Sequence, residues 1–426
     1  MNLRGYRALQ TLLSPVIDIY LRYRKLIGKE DIKRFPERLG RPSIARPQGN
    51  LLWIHAASIG ESVSVLPLLE AIGEKYPSVN ILLTTGTVTS AKLMAKKLPK
   101  AVIHQFVPVD LHYAVKRFLS YWRPDLAIWV ESELWPNLVH ETSQTGCPML
   151  LVNARMSDDT LKKWQKHKEL SEKIFGGFSM CLAQNDREAE KFSQAGIKNS
   201  VNAGNLKYES PSLPADPEAT ANLIRMIGNR RIWVASSTSK GEEEIAALTH
   251  IKLSEKYPDL LTIIVPRHPD RAEDIRKMLD AKNLNVAQRS KGEEALDEIQ
   301  IYLADTIGEL GIFYRISNIV YVGGSLVEHG GQNPLEPARL NCAIITGHIT
   351  YNFQEIYSEM EAFNAVMVVK DKTELLEKLT QLFADNKMVD LYAEQALQFI
   401  QSKSGVIDNY MNLLDPYLKP LVRPTF

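Results

Sequence analysis

Two glycine pairs, Gly323-Gly324 and Gly330-Gly331, frame a turn that runs into Gln332-Asn333-Pro334-Leu335-Glu336-Pro337-Ala338. The apolar run before it, Ile319–Val322, reads as a buried strand. Glycines let a backbone approach an anion closely, and Asn333-Pro334 is a good helix start. A helix N-terminus offers unpaired N–H groups and a partial positive charge to a phosphate. Glu336, in the first turn, can accept bonds from sugar hydroxyls. Together these residues suit a nucleotide-sugar site. The competing reading is an ordinary strand-to-helix turn. The acid and the Asn-Pro start weigh against it.

The first half of the chain holds a second constellation. Trp53-Ile54-His55-Ala56-Ala57-Ser58-Ile59-Gly60-Glu61-Ser62 is a strand entering a small-residue turn and then a helix. Ser58 and Gly60 leave that turn open to a substrate, and Glu61 falls in the first helical turn. A carboxylate there can act as general base on an attacking hydroxyl. It can equally be a helix-start Glu favoured by the helix dipole. His55, in mid-strand, reads as a packed core histidine.

Further along, Trp129-Val130-Glu131-Ser132-Glu133-Leu134-Trp135-Pro136-Asn137 ends an apolar strand with two acids one residue apart. In an extended segment Glu131 and Glu133 point to opposite sides, so only one can face a ligand. Helix capping accounts for Trp135-Pro136 but less well for both acids. Arg155, in Asn153–Ser157, and Lys207, in Ala203–Lys207, are cations at strand ends. Either can bind an anion or be a solvated surface charge.

Two more segments lie in the second half. Ala235–Glu244 is a hydroxyl-rich turn containing Ser237, with acids at the following helix start. It suits a phosphate cradle or a plain N-cap. In Val265-Pro266-Arg267-His268-Pro269, prolines fix an Arg267-His268 pair whose planar guanidinium fits phosphate.

The elements that must position these residues alternate regularly. Leu51–Ala56, Ile81–Thr84, Ile103–Val107, Leu126–Val130, Met149–Val152 and Cys181–Ala183 are short apolar runs between amphipathic segments. After Lys207–Glu218, which carries Pro211, Pro214 and Pro217, the rhythm resumes. Its later runs are Ile232–Ala235, Leu261–Val265, Ile301–Leu303, Ile319–Val322, Ala343–Thr346 and Ala365–Val369. This predicts an α/β protein of two Rossmann-like domains, each a parallel sheet covered by helices, facing a cleft. Every residue singled out follows a strand.

Composition narrows the function classes. A chain of 426 residues is too long for one core. With 51 Lys and Arg against 50 Asp and Glu, nothing argues for nucleic acid as the partner. Cys147, Cys181 and Cys342 show no metal or disulfide spacing, which predicts a reducing compartment. No Asp-x-Asp pair, P-loop or G-x-G-x-x-G fingerprint after the first strand occurs. Neither a metal nor a cofactor is expected.

At the N-terminus, Leu9, Leu12, Leu13, Val16, Ile17, Tyr20 and Leu21 follow helical spacing, flanked by Arg4, Arg7, Arg22, Arg24 and Lys25. The stripe fits an interfacial helix on an anionic leaflet. It also fits a helix docked on the protein's own core; the basic flanks favour the membrane. Pro15 can kink it or start its second part. No run is long enough to span a bilayer, and a cleavable signal is not expected.

In family order, the segments Glu37–Gly40, His55–Glu61, Glu131–Asn137, Asn153–Ser157, Gly204–Lys207, Pro266–Pro269 and Gly323–Glu336 resemble those of the 3-deoxy-D-manno-octulosonic acid (Kdo) transferases. The resemblance continues past Tyr351-Asn352-Phe353. It implies an inverting glycosyltransferase of GT-B architecture at the cytoplasmic face of the inner membrane. The donor would be CMP-Kdo and the acceptor a lipid A precursor, lipid IVA. It implies Glu61 as general base, with Glu131 or Glu133 and Lys207 as essential polar residues. Ser58, Gly60 and Arg155 fall on the acceptor side. Ser237, Arg267, His268, Gly323, Gly324, Asn333 and Glu336 fall on the CMP side. Residues 1–27 would be a membrane-associating helix, 28–208 the acceptor domain and 209–426 the donor domain. The chain departs from the family at Gln332, where a His is frequent, and at Ser239-Lys240, near a frequent Thr-His pair. A nucleotide-sugar epimerase or a non-catalytic sugar-binding protein would share the layout.

Overall fold

The computed structural model describes residues 3–131, 133–295 and 297–422, with the side chain of Arg4 also outside the description. Ser132, between the two acids after the fourth strand, therefore lies outside the described residues. Two compact units form, Met1–Ser210 with Gly405–Phe426, and Pro211–Ser404.

The first unit is a seven-stranded sheet of β1 (Leu51–His55), β2 (Asn80–Thr85), β3 (Val102–Phe106), β4 (Leu126–Val130), β5 (Met149–Ala154), β6 (Met180–Ala183) and β7 (Ser200–Asn202). Its order is β3-β2-β1-β4-β5-β6-β7, with every pair parallel. Parallel strands need crossover helices, which cover both faces, so the strands read as continuous apolar runs. Alternate residues feed separate cores. Leu51, Trp53, Trp129 and Leu151 point into one, and Leu52, Ile54, Ile128 and Val152 into the other. Sequential strands run outward from β1 in one direction and from β4 in the other. The β1/β4 junction is thus a topological switch point, where open α/β sheets bind ligands.

The second unit repeats the plan with β8 (Ile232–Thr238), β9 (Leu261–Pro266), β10 (Val286–Gln288), β11 (Ile301–Leu303), β12 (Ile319–Val322), β13 (Ala343–Gly347) and β14 (Met367–Val369). Its order is β10-β11-β9-β8-β12-β13-β14, again parallel, with a switch point between β8 and β12. The α/β class and paired parallel sheets match the sequence expectation.

The C-terminus differs from the sequence boundary at 209–426. The helix Val406–Leu418 belongs to the first unit, where Tyr410, Leu414 and Leu418 are fully buried against the sheet. Its apolar stripe covers a face that sheet residues such as Leu150 and Val152 would otherwise leave to water. Tyr410 adds a polar anchor: its hydroxyl accepts from the Asn153 N–H at 3.0 Å and donates to the Gly204 carbonyl at 3.0 Å.

The N-terminal helix Leu3–Leu26 is continuous through Pro15. Proline cannot donate to the Thr11 carbonyl, but the Ser14 hydroxyl does so at 2.9 Å and satisfies it. The helix uses both of its faces. Leu3 and Leu21 are buried, Tyr6 donates to Asp110 at 2.9 Å, and Arg7 bonds Asn137 at 3.1 Å and pairs with Glu141. Leu9, Leu12, Leu13, Val16, Ile19 and Leu26 stay exposed, Leu12 at 76% and Leu26 at 85%. Among the described residues no helix is long and apolar enough to cross a membrane.

Candidate active site

Glu61 enters the helix Ile59–Ser64 directly after β1. Ser58 is the N-cap, and its hydroxyl accepts from the Glu61 N–H at 3.2 Å. Reciprocally, Glu61 Oε2 accepts from the Ala57 N–H at 2.7 Å. This is a capping box, which a purely structural glutamate would also make. Two further facts set Glu61 apart. Its donors are few: among the described residues the Ala57 N–H and, more loosely, the Ser58 hydroxyl are the groups that favour its charged form. Its residue is only 5% exposed, and burial, with the charge of Glu131 and more weakly of Glu133, pushes its pKa up to about 7. A buried carboxyl with few donors and a pKa near neutrality can exchange a proton near neutral pH.

Glu131 lies across the switch point, at the end of the neighbouring β4. Its φ is +59°, so the chain there is left-handed and not extended as the alternation of Glu131 and Glu133 predicted. A non-glycine residue in that region costs of order 1–3 kcal/mol, and such strain concentrates at functional sites. The left-handed turn brings the Glu131 carboxylate to Lys207, with Oε1 and Nζ 3.0 Å apart. Glu133 is exposed and lines a cavity beside the N-terminal helix.

Asparagines hold this arrangement, and sequence reasoning gave them no role. Lys207 sits in a single 3-10 turn, Leu206–Glu209, capped by Asn205, whose side chain accepts from the Lys207 N–H at 3.0 Å. Asn153, buried and left-handed at φ +52°, accepts from the Leu206 N–H at 3.0 Å. The end of β5 thereby fixes the turn carrying Lys207. The available signal was Asn preceding a small residue at a strand end, a common place for left-handed geometry. Arg155, two residues on, is half-buried at the carboxyl end of β5. Gly60 is exposed, and an added Cβ would meet only the Ser58 hydroxyl at 3.9 Å, so the turn is open there. His55 is a core residue as expected: it is 1% exposed, bonds Thr84 Oγ1 at 3.0 Å, and burial lowers its pKa to about 4.

In the second unit the glycine-rich turn follows the strand Ile319–Val322, as predicted, and the structure places it at the switch point, with its N–H groups bonded inside the protein. The Gly323 N–H donates to the Ser236 carbonyl at 2.8 Å. Glu242, 1% exposed, accepts from the N–H groups of Gly324 at 2.6 Å, Ser325 at 2.9 Å, Leu326 at 3.0 Å and Ser239 at 2.8 Å, and from the Tyr321 hydroxyl at 2.6 Å. The Gly323 and Gly324 N–H groups are therefore engaged within the protein, and an anion that approaches this turn does not use them. The protein's own carboxylate fills that nest. Glycine is required at 323 because a Cβ would lie 2.8 Å from Thr238 Cα and 2.9 Å from two carbonyl oxygens of the β8 end. The helix after the turn spans only Leu335–Ala338, and the Leu335 N–H already donates to the Asn333 side chain at 3.1 Å. Little helix-terminal charge is left there for a phosphate.

The remaining predicted residues gather around this turn's neighbours. Ser237 is left-handed at φ +52°, in the bulge where the β8–β9 register shifts. The Arg267 N–H donates to the Thr238 carbonyl at 3.0 Å, which sets the β9 exit beside the β8 turn. The side chains of Arg267 and His268 are exposed, and Glu336 is half-buried. Among the described residues no group of His, Cys, Asp and Glu is arranged to hold a metal ion.

Two parallel seven-stranded sheets of this order, each with its constellation at a switch point, define a GT-B glycosyltransferase fold. The fold is similar to that of a glycosyltransferase from Rickettsia africae, at a TM-score of 0.57 and 14% identity over 89% of this chain and 100% of that one. A putative UDP-N-acetylglucosamine 2-epimerase from Listeria monocytogenes is similar at 0.60 and 12% identity, over 88% and 98%. At the level of sequence, residues 33–210 match the family described as 3-deoxy-D-manno-octulosonic-acid transferase (kdotransferase). The 3-deoxy-D-manno-octulosonic acid transferase of Rickettsia bellii is 35% identical over 97% of this chain and 99% of its own length. That of Haemophilus influenzae is 32% identical over 97% and 98%. The chain belongs to the Kdo transferase family, whose members are glycosyltransferases.

Proposed function

We propose that the protein transfers Kdo from CMP-Kdo to the glucosamine disaccharide of a lipid A precursor, lipid IVA, in lipopolysaccharide biosynthesis. Transfer proceeds with inversion and without a metal. The observation that carries this reading is Glu61, a buried carboxyl with few donors and a pKa raised to about 7, at the first unit's switch point. Glu61 takes the proton of the acceptor hydroxyl as it attacks the anomeric carbon from the face opposite CMP. Glu131, held by Lys207, keeps Glu61 basic, and Ser58, Gly60 and Arg155 border the acceptor. The exposed cation Arg267, with His268, Ser237, Asn333 and Glu336 and the turn closed by Gly323 and Gly324, takes CMP on the second unit. A single phosphate leaves with CMP, so fixed cations suffice where a diphosphate would call for a divalent ion.

Incubation with CMP-Kdo generated in situ and lipid A precursor should raise the acceptor's mass by one or more Kdo units, with a chelator present. An unchanged mass, or activity restored only by a divalent ion, would contradict the corresponding part of the proposal. For location, the exposed row Leu9, Leu12, Leu13 and Val16 would rest on the anionic cytoplasmic face of the inner membrane. Burying each such side chain contributes about 1.5–3 kcal/mol. Replacing Leu12, Leu13 and Val16 with Ser should therefore release the protein from anionic vesicles in a flotation assay at unchanged melting temperature. Retained binding would remove the row from membrane contact.

A further inference from the structure

A cavity of about 520 Å³ opens in the first unit between the N-terminal helix and the carboxyl ends of β1, β2 and β3. Its size falls in the ~300–1,000 Å³ range of small-molecule sites. One wall is Ile17, Tyr20 and Leu21 of the helix, and the facing wall is Val107, Val109 and Leu111 after β3. The polar groups that reach it are mostly engaged elsewhere. Arg24 bonds Glu30 at 2.7 Å, and Arg38 pairs with the same carboxylate at 3.4 Å. Asp110 accepts from the N–H groups of Asn137 and Leu138 at 3.1 and 2.8 Å, and from Tyr6. Thr87 caps its own helix through the Ser90 N–H at 3.1 Å. Apart from Arg38 Nε, which is buried without a hydrogen bond, and the exposed Glu133 at its rim, the lining offers largely hydrocarbon.

Its position identifies the occupant. Ala57 and Ser58 form part of its lining, and these two residues hold Glu61 in its capping box. A molecule seated here has one end beside the proposed base. Tyr20 of this wall, 55% exposed, stands one helical turn from Val16 of the exposed apolar row, so the cavity adjoins the surface proposed to rest on lipid.

We infer that this cavity receives an acyl chain of the acceptor lipid and so sets the acceptor hydroxyl at Glu61. The inference rests on the proposed transfer to a lipid acceptor. Each methylene moved from water onto such walls is a factor of about four in affinity. A few methylenes are therefore enough to separate an acylated acceptor from its deacylated disaccharide.

The test compares kcat/KM for acylated and fully deacylated acceptor, each dispersed as monomers, in the full-length wild type and in Val109→Trp and Ile17→Trp, which fill the cavity from opposite walls. The wild type should prefer the acylated acceptor at least tenfold, through KM, and both variants should lose that preference. A preference that survives in both variants at wild-type melting temperature overturns the inference. A second measurement is independent of turnover and of how the variants fold. An acylated acceptor with a diazirine near the chain end should label peptides containing Ile17 or Val109 in the wild type. Labelling confined to other peptides overturns the inference. If the wild type labels there yet transfers no Kdo to either acceptor, the proposed reaction fails and the acyl site stands.

Discussion

The two units place a glutamate at equivalent points of equivalent sheets, and they surround it in opposite ways. Glu61 follows β1 and Glu242 follows β8, each in the first turn of a helix at a switch point. Glu242 accepts five hydrogen bonds from backbone and tyrosine donors and stitches the β8 and β12 turns together. Glu61 is favoured as an anion only by the Ala57 N–H and the Ser58 hydroxyl, and is pressed toward its neutral form by burial and by Glu131. Position in the fold alone thus does not set a carboxylate's affinity for a proton. What matters is how many donors the surroundings supply. A saturated carboxylate is a structural anion, whereas a buried one with few donors and a neighbouring charge can exchange a proton near neutral pH.

The sharpest way to break the comparison is Glu61→Gln. The amide oxygen can still cap the Ala57 N–H, so the fold should survive while transfer falls ~10²–10⁴-fold, the usual cost of a lost general base. Because the folded-state pKa of Glu61 is raised, ionising it opposes folding as pH rises through about 7. Thermal melting at pH 8 should accordingly find Glu61→Gln no less stable than the wild type. Near wild-type turnover in this variant would remove Glu61 from the mechanism.

Next in size are Arg267→Ala and Glu336→Ala in the second unit. A hydrogen bond to a charged group contributes about 1.5–3 kcal/mol, so each should weaken CMP binding roughly 10- to 100-fold by calorimetry. Unchanged affinity in both would displace the donor site. Glu242→Gln probes stability directly. An amide accepts through one oxygen only, so it leaves several buried N–H groups unpaired at about 1–3 kcal/mol each. The loss is then at least about 2 kcal/mol, which should lower the melting temperature by roughly 4–8 °C or more. Melting unchanged from the wild type would show that the turns do not depend on this carboxylate.

Much of this architecture is legible in the chain. The runs from Leu51 to Cys181 and from Ile232 to Ala343 become strands because sheets buried on both faces demand uninterrupted apolar residues. The edge strands β7 (Ser200–Asn202) and β10 (Val286–Gln288) escape that signal because Ser200, Asn202 and Gln288 break the apolar run, whereas the equally short β11 (Ile301–Leu303) keeps it. The acids at strand ends announce Glu61 and Glu131, since local order alone puts them at the sheet edge. The roles of Glu242, Asn153 and Tyr410 are not legible. Glu242 bonds Gly324, 82 residues away, and Tyr410 bonds Asn153, 257 away. Such pairings arise only once the sheets have formed. The glycine-rich turn shows the same limit. Its composition suits an anion nest, but nothing local reveals that the anion is the protein's own.

The pH dependence of kcat/KM tests the central claim most directly, measured for the wild type and for Glu131→Gln. A base must be ionised to act, so wild-type activity should fall as pH drops below about 7, the raised pKa of Glu61. Removing the Glu131 charge takes away one of the causes of that rise, so the acidic limb should move to lower pH in Glu131→Gln. An acidic limb that stays in place in Glu131→Gln, or is missing from the wild type between pH 5 and 8 (roughly the range across which a base of pKa near 7 must titrate), would contradict the assignment of Glu61 as the base.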